Sequence, residues 1–166
     1  MLNKIIILFV TLNFNVTRAA TLEGSVVGIA DGDTITILDA TKAQYKIRLA
    51  GIDAPEKKQD FGNVPKRSLS DMVFNQQVIV DWDKSNRYDR LVGKVLLNGK
   101  DVNLEQIRLG MAWYYHKYNN ELVFDNRINY LQAEEDAINN RIGLWLHNQP
   151  VAPWDFEKVI GENNVQ

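Results

Sequence analysis

The chain contains no cysteine. That excludes disulfides, thiolate metal sites and a cysteine nucleophile, and leaves the redox compartment open. Its two histidines, His116 and His147, lie far from each other and from the acidic motifs. A histidine-rich zinc pattern is therefore absent. The chain also lacks a glycine-rich phosphate loop, a G-x-S-x-G elbow and a Ser-His-Asp set. It has no internal repeat and no low-complexity tract. No apolar run approaches the ~20 residues of a membrane-spanning helix. Neither sign of charge dominates, and the net charge is −2. A mildly acidic protein is poorly suited to nonspecific coating of nucleic acid, which rests on phosphate neutralisation. Binding to nucleic acid would need local basicity. Lys57, Lys58, Lys66, Arg67, Lys84, Arg87 and Arg90 offer it, although Lys66 and Arg67 read better as solvated surface.

What is there suits one globular domain. The chain has 166 residues, 45% of them apolar and 24% charged. A domain of this size buries ~68–70% of its unfolded surface and needs no covalent staples. The N-terminus has a different character. Met1 to Lys4 is short and basic, Ile5 to Val10 is an unbroken apolar run, and Thr17-Arg18-Ala19 supplies small residues. That order predicts a signal peptide over 1–19, cleaved after Ala19, although Asn13 and Asn15 dilute its apolar core. A buried first strand or an uncleaved anchor is the alternative. Loss of Lys4 and Arg18 with the signal would take the net charge from −2 to −4.

From Leu22 the residues alternate as a strand does. Asp31-Gly32-Asp33 predicts a turn, and Thr34 to Leu38, rich in β-branched residues, a return strand. Asp39 to Gln44 is a polar turn. Tyr45 to Ala50 predicts a third strand, with Tyr45, Ile47 and Leu49 on one face. Gly51 to Val64 is a long polar loop. Pro65 opens a helix that carries Leu69, Met72 and Val73 at helical spacing. Val78 to Trp82 and Leu91 to Leu97 predict the last two strands. Asn103, with Gln106 three residues on, predicts the cap of a short helix that Gly110 ends. Glu121 to Asn140 is the longest helical pattern, with an apolar stripe through Ile128, Leu131 and Ile138 and Gly143 at its close. Leu144 to Phe156 reads as an extended strap within one domain over 20–166. A helix between the third and fourth of five strands predicts a small Greek-key barrel of the OB type, an α+β fold built mainly from a β barrel.

Three short segments carry the chemistry. They are Asp31-Gly32-Asp33-Thr34, the run Arg48-Leu49-Ala50-Gly51-Ile52-Asp53-Ala54-Pro55-Glu56, and Arg87-Tyr88-Asp89-Arg90. Alone, each has a plain reading: a hairpin turn, a loop with surface acids, a turn flanked by arginines. Arg48 by itself is an outward-facing arginine on an alternating strand. Two carboxylates as close as Asp31 and Asp33, however, repel each other unless a cation or an arginine lies between them. Hard oxygen ligands, a spare carboxylate and guanidinium forks together suit metal-assisted attack on a phosphodiester.

In order and spacing, the three segments resemble the staphylococcal nuclease (thermonuclease) family. The resemblance runs from about Leu22 to Phe156. It extends to Asp101-Val102-Asn103, Gly110-Met111-Ala112-Trp113 and Gly143-Leu144-Trp145. It implies a five-stranded OB-type barrel with three helices. It also implies that Asp33 and Asp53 are carboxylate ligands of one Ca²⁺, that the carbonyl of Ala54 is a further ligand, and that Asp31 sits nearby. Glu56 would orient or deprotonate the attacking water, and Arg48 and Arg90 would hold the phosphate. Tyr88 and Tyr118 resemble positions lining the family's nucleotide pocket, with Arg87 beside Tyr88. The substrates implied are DNA and RNA, cut to leave 3′-phosphates. Two positions depart from the family pattern. Ala54 stands where threonine is common, which removes a hydroxyl and keeps the carbonyl. Asp89 stands where glycine is usual, and brings a negative charge beside the proposed phosphate site.

The expectation is an exported, calcium-dependent nuclease, periplasmic or secreted, with no stable membrane association once the signal is removed. Its rivals are a noncatalytic module binding single-stranded nucleic acid on the same barrel, and a structural barrel in which these acids and arginines are only salt bridges.

Overall fold

The computed structural model describes residues 20–163. The expected signal segment, 1–19, lies outside them. Ten residues from Ala20 to Ile29 form β1, Thr34–Leu38 form β2 and Gln44–Leu49 form β3. A two-residue strand, β4, covers Ile52–Asp53, and α1 spans Val64–Val73. Then come β5 (Gln77–Ser85), β6 (Leu91–Leu97), the short β7 (Lys100–Asp101), α2 (Val102–Arg108) and the short β8 (Trp113–Tyr114). A 3-10 turn over His116–Glu121 leads to α3, Phe124–Asn139, and another over Gly143–Leu146 leads to α4, Pro153–Asn163.

The main strands follow the order β3-β2-β1-β5-β6, and β3 also pairs with β6. That last pairing is parallel and closes the five strands into a barrel. Closure leaves no long open edge to be managed. The alternation read on β3 holds. Ile47 and Leu49 are buried, and Arg48 between them faces the other way. The core is continuous from the barrel, through Val26, Ile35 and Val80, to Leu69 and Val73 of α1 and Ile107 of α2.

The structure corrects several sequence expectations. Asp101, not Asn103, caps α2: its Oδ1 accepts from Leu104 N–H at 3.0 Å. Asn103 is instead fully buried. Its Oδ1 accepts from Val95 N–H at 3.1 Å, and its amide donates to the carbonyls of Ala50 and Gly93 at 3.0 and 3.2 Å. One amide thus satisfies three main-chain groups at the barrel seam. The long helix starts at Phe124 rather than Glu121, which belongs to the 3-10 turn.

The predicted stripe of that helix faces outward, with Ile128, Leu131 and Ile138 each more than 40% exposed. Tyr130, Ala133, Glu134 and Ala137 form the buried face. Two apolar faces fit the helical period here, and the one with small alanines allows the closer approach to the body. Glu134 tolerates burial because it has partners. It accepts from Tyr114 N–H at 2.8 Å and lies 3.2 Å from His116 Nε2. The strap beyond Leu144 is not wholly extended, since α4 begins at Pro153. Helices α1, α2 and α3 are the three expected, and α4 is added to them. Among the described residues, no helix is long and apolar enough to cross a membrane.

Asn103→Ala would leave Val95 N–H and the Ala50 carbonyl without the amide, while the Gly93 carbonyl keeps its bond from Ala50 N–H at 2.8 Å, and each such loss costs ~1–3 kcal/mol. We expect the variant to lose about 2 kcal/mol or more by urea denaturation. A loss below about 1 kcal/mol would show that water replaces the amide without cost.

Candidate active site

The turn between β1 and β2 is pinned from beneath. Gln106 of α2 is fully buried, and its Nε2 donates to the carbonyls of Gly32 at 2.8 Å and Pro65 at 3.2 Å. Ser68 Oγ donates to the same amide's oxygen at 3.0 Å. Gly32 has no room for a side chain: a Cβ there would lie 2.5 Å from Cβ of Pro65 and 2.7 Å from Cβ of Ala54. The first acidic motif is therefore pressed against the second. Asp31 Oδ1 accepts from Asp33 N–H at 3.1 Å, which fixes the turn.

Asp33 is buried and points across the barrel mouth. Its Oδ2 accepts from Ala54 N–H at 2.8 Å, and its Oδ1 from the Thr34 hydroxyl at 3.0 Å. Arg48 reaches the same carboxylate through Nη1 at 2.9 Å and Asp53 through Nη2 at 2.6 Å. Nη1 also donates to the carbonyl of Ile52 at 2.9 Å. One guanidinium fork thus holds both acids, and Arg48 is not a plain surface residue. Asp53 is fixed from its other side by the antiparallel pairing of β4 with β8, where it faces Trp113.

The parallel β3–β6 pair sets Arg48 opposite Val92, two residues beyond Arg90. The loop before β6 is shaped by Asn86, which sequence reading overlooked. Its Oδ1 accepts from the N–H groups of Tyr88 and Arg90 at 3.0 and 3.3 Å, an Asx arrangement. Asp89 has φ 59°, the left-handed conformation for which glycine is favoured. Its side chain is exposed and does not line the cavity described next. Arg87 and Arg90 lie over the ring of Tyr88 at 4.8 and 5.3 Å from its centroid. Nε of Arg90 is buried with no hydrogen-bond partner.

Asp31, Asp33, Arg48, Asp53, Ala54, Glu56, Tyr88 and Arg90 line one open cavity of about 400 Å³. Lys46 and Glu157, which sequence reading did not single out, complete its charged wall. Arg87 lies outside that wall, stacked on Tyr88. The remaining basic candidates, Lys57, Lys58, Lys66, Arg67 and Lys84, do not line it either. Tyr118 falls in the 3-10 turn, and its side chain is not among those described. The two overlooked residues gave no motif signal, because Lys46 is an ordinary exposed strand residue and Glu157 lies just past the stretch read as strap.

The cavity holds five carboxylates against three basic side chains. Burial drives the Asp33 pKa up to about 7; Arg48 opposes this, and Asp31 and Asp53 add to it. Burial likewise takes Asp53 up to about 6, against Arg48 and with help from Glu157 and Glu56. Glu56 is raised by burial and then by Glu157 and Asp31. Arg48 is held charged: burial works against it, and Asp33 and Asp53 outweigh burial. The surplus of negative charge is the observation that bears on a metal. An anionic substrate is disfavoured here until extra positive charge comes with it, and oxygen-only donors suit a hard cation. The donor set therefore fits Ca²⁺. Among the described residues, no three Asp, Glu or His side chains gather tightly enough to hold an ion unaided. Main-chain oxygen and water would have to complete its shell.

Comparison with known proteins agrees with this arrangement. Residues 46–147 match the model of the family described as staphylococcal nuclease homologue. An uncharacterized endonuclease of Haemophilus influenzae is 40% identical over 158 residues, covering 93% of this chain and 85% of its own. A similar endonuclease of Escherichia coli O157:H7 is 40% identical over 136 residues, covering 81% of this chain and 84% of its own. The micrococcal nuclease of Shigella flexneri is 33% identical over 159 residues, with 90% and 88% covered. With its barrel closed as the strand order predicts and its length shared almost throughout, the chain belongs to the staphylococcal nuclease family.

The raised carboxylates generate a pH test. Asp33 and Asp53 titrate near 7 and 6 when folded, above their ordinary 3.8. Between those limits the native state keeps protons that the unfolded chain has released, so stability falls as pH rises. Asp33→Asn carries no charge to bury. In chelator, its melting temperature relative to the parent should climb as pH is raised from about 4 to about 8. A constant difference across that range would mean that Asp33 is not strained by ionisation.

Proposed function

We propose that this protein is a calcium-dependent nuclease that hydrolyses phosphodiester bonds of DNA and RNA with little regard for the sugar, leaving 3′-phosphate ends. The observation that carries the proposal is the convergence of Asp33, Arg48, Asp53, Glu56 and Arg90 on one cavity from three distant segments of the chain. The nuclease names of its relatives support it. A barrel that only bound single strands would have no use for so many acids lining one cavity, which oppose an anionic ligand.

Asp33 and Asp53, with the carbonyl of Ala54, would hold the ion, and Asp31 would add negative charge beside them. When bound, Ca²⁺ supplies positive charge that neutralises phosphate oxygens and favours a nucleophilic water. The protein's own groups do the rest. Arg48 is already oriented by two acids and stays charged, so one edge of the scissile phosphate meets a fixed donor. Arg90 offers an unpartnered Nε to the same anion. Charge growing on the phosphoryl oxygens in the transition state is stabilised best by donors that need not reorganise. Glu56, whose raised pKa brings it nearer neutrality, takes the proton from the attacking water. Tyr88 presents an exposed ring at the rim, suited to stacking on a base.

Export is part of the same proposal. The order of basic, apolar and small residues over 1–19 supports a cleaved signal, and Ala20 opens β1, so cleavage after Ala19 would spare the barrel. The exported form is expected to begin near Ala20 on N-terminal sequencing. A soluble cytoplasmic form retaining Met1 would overturn this part.

The activity is tested by digesting DNA and RNA with calcium and, separately, with chelator. Cleavage should appear only with calcium. Glu56→Gln keeps the shape and removes the base, so single-turnover cleavage of a labelled oligonucleotide should fall by ~10²–10⁴. Calcium should still raise the melting temperature of this variant. Parental rates in Glu56→Gln would remove Glu56 from the mechanism.

A further inference from the structure

Helix α4 lies beyond residues 46–147, the stretch that matches the family model, yet it reaches the catalytic cavity. Its first turn is firmly seated. The Trp154 ring stacks on Tyr115 with centroids 5.1 Å apart and planes 19° from parallel. It also meets Trp113 edge-on at 6.4 Å. Trp113 is the β8 partner of Asp53. The segment ahead of α4 is tied down as well. Gln59 Nε2 donates to the Val151 carbonyl at 2.9 Å, and its Oε1 accepts from Glu56 N–H at 2.7 Å. The C-terminal segment is thus anchored to the two stretches that carry Asp53 and Glu56.

One turn after Trp154, Glu157 joins the wall of the cavity. It has no ion pair or hydrogen bond among the described residues, whereas its neighbour Lys158 is engaged with Asp155 at 2.8 Å. Without Glu157 the cavity would hold four carboxylates against three basic side chains. An unpaired carboxylate added to that surplus repels a phosphodiester and attracts a divalent cation.

We propose that α4 is an electrostatic gate: Glu157 makes admission of the phosphodiester conditional on prior binding of a divalent cation. This rests on the nuclease reading and adds an order of binding to it. In a compartment poor in free divalent cation, nucleic acid is turned away before any chemistry. Once the cation is held, Glu157 faces a neutralised wall and its repulsion of the substrate is largely offset.

The test is the anisotropy of a fluorescein-labelled single-stranded oligonucleotide, measured on the full exported chain. In chelator, where no cleavage interferes, Glu157→Gln should bind about five-fold more tightly than the parent, the scale of one charge removed at a partly solvated site. Trp154→Ala, which keeps the Glu157 carboxylate but unseats the helix that holds it at the wall, should move binding in the same direction. With saturating calcium, in a Glu56→Gln background that blocks turnover, the gain from Glu157→Gln should shrink towards nothing. Equal affinities of parent and Glu157→Gln in chelator would overturn the gate, as would failure of both to bind. An equal gain with and without calcium would overturn it too, since that is a general charge effect. The nuclease reading fails separately, if the parent leaves nucleic acid intact with calcium. Calcium-dependent cleavage with no effect of Glu157→Gln in chelator would sink the gate alone.

Discussion

The parallel pairing of β3 with β6 is the constraint on which the cavity depends. Without it, Arg48 and Arg90 would sit on strands separated by three others in the sheet order. With it, the two arginines approach one opening from adjacent strands. The seam is expensive to make, because its main-chain groups must be satisfied where the ladder is brief and the core begins. Asn103 meets that need from α2 by bonding Ala50, Gly93 and Val95. Gln106, one turn on in the same helix, pins Gly32 and so places the first acidic motif. A helix of seven residues therefore sets both the closure of the barrel and the position of the acids.

What closure assembles is electrostatically unbalanced. A buried carboxylate is usually neutralised by a partner of its own, and here Arg48 is shared by two. The raised pKa values of Asp33 and Asp53 follow from that shortage after the cost of burial. A fold selected for stability alone would pair or remove these charges. Their retention makes sense if a cation joins them. The same reasoning extends to Glu157, which sits exposed on a separate helix and has no ion-pair partner among the described residues.

Much of this was legible in the sequence. Alternation gave the β strands, because a strand buried on one face must place apolar residues at every second position, and β3 does so around Arg48. That Asp31, Asp33, Arg48, Asp53, Glu56 and Arg90 should share a site was implied by the family resemblance, since no local rule states that a turn, a loop and a second turn should meet. Illegible features share a cause: they depend on which of two locally equal options tertiary packing selects. Asp101 and Asn103 are both good caps, and only the position of the seam decides that Asn103 is needed elsewhere. Helix α3 has two faces with apolar residues, and the face with Ala133 and Ala137 is buried because the helix must come close. Asn86, Lys46 and Glu157 are polar residues of common type whose roles come from neighbours distant in sequence.

Under the proposed gate, helix α4 would tune the cavity without touching its acids and arginines. The barrel fixes those groups by strand pairing, which leaves little freedom to alter them. A C-terminal segment is held by fewer contacts, here a tryptophan on two aromatic rings and one glutamine bridge. Such a segment can change the potential over the cavity by a whole charge and leave the geometry of Arg48 and Asp53 as it was. Because the Coulomb term reaches further than a hydrogen bond, a residue at the rim can act on admission without entering the reaction. The anchoring matters as much as the charge. If Trp154 did not stack on Tyr115, Glu157 would sweep through solvent, and screening would reduce its field at the cavity to little.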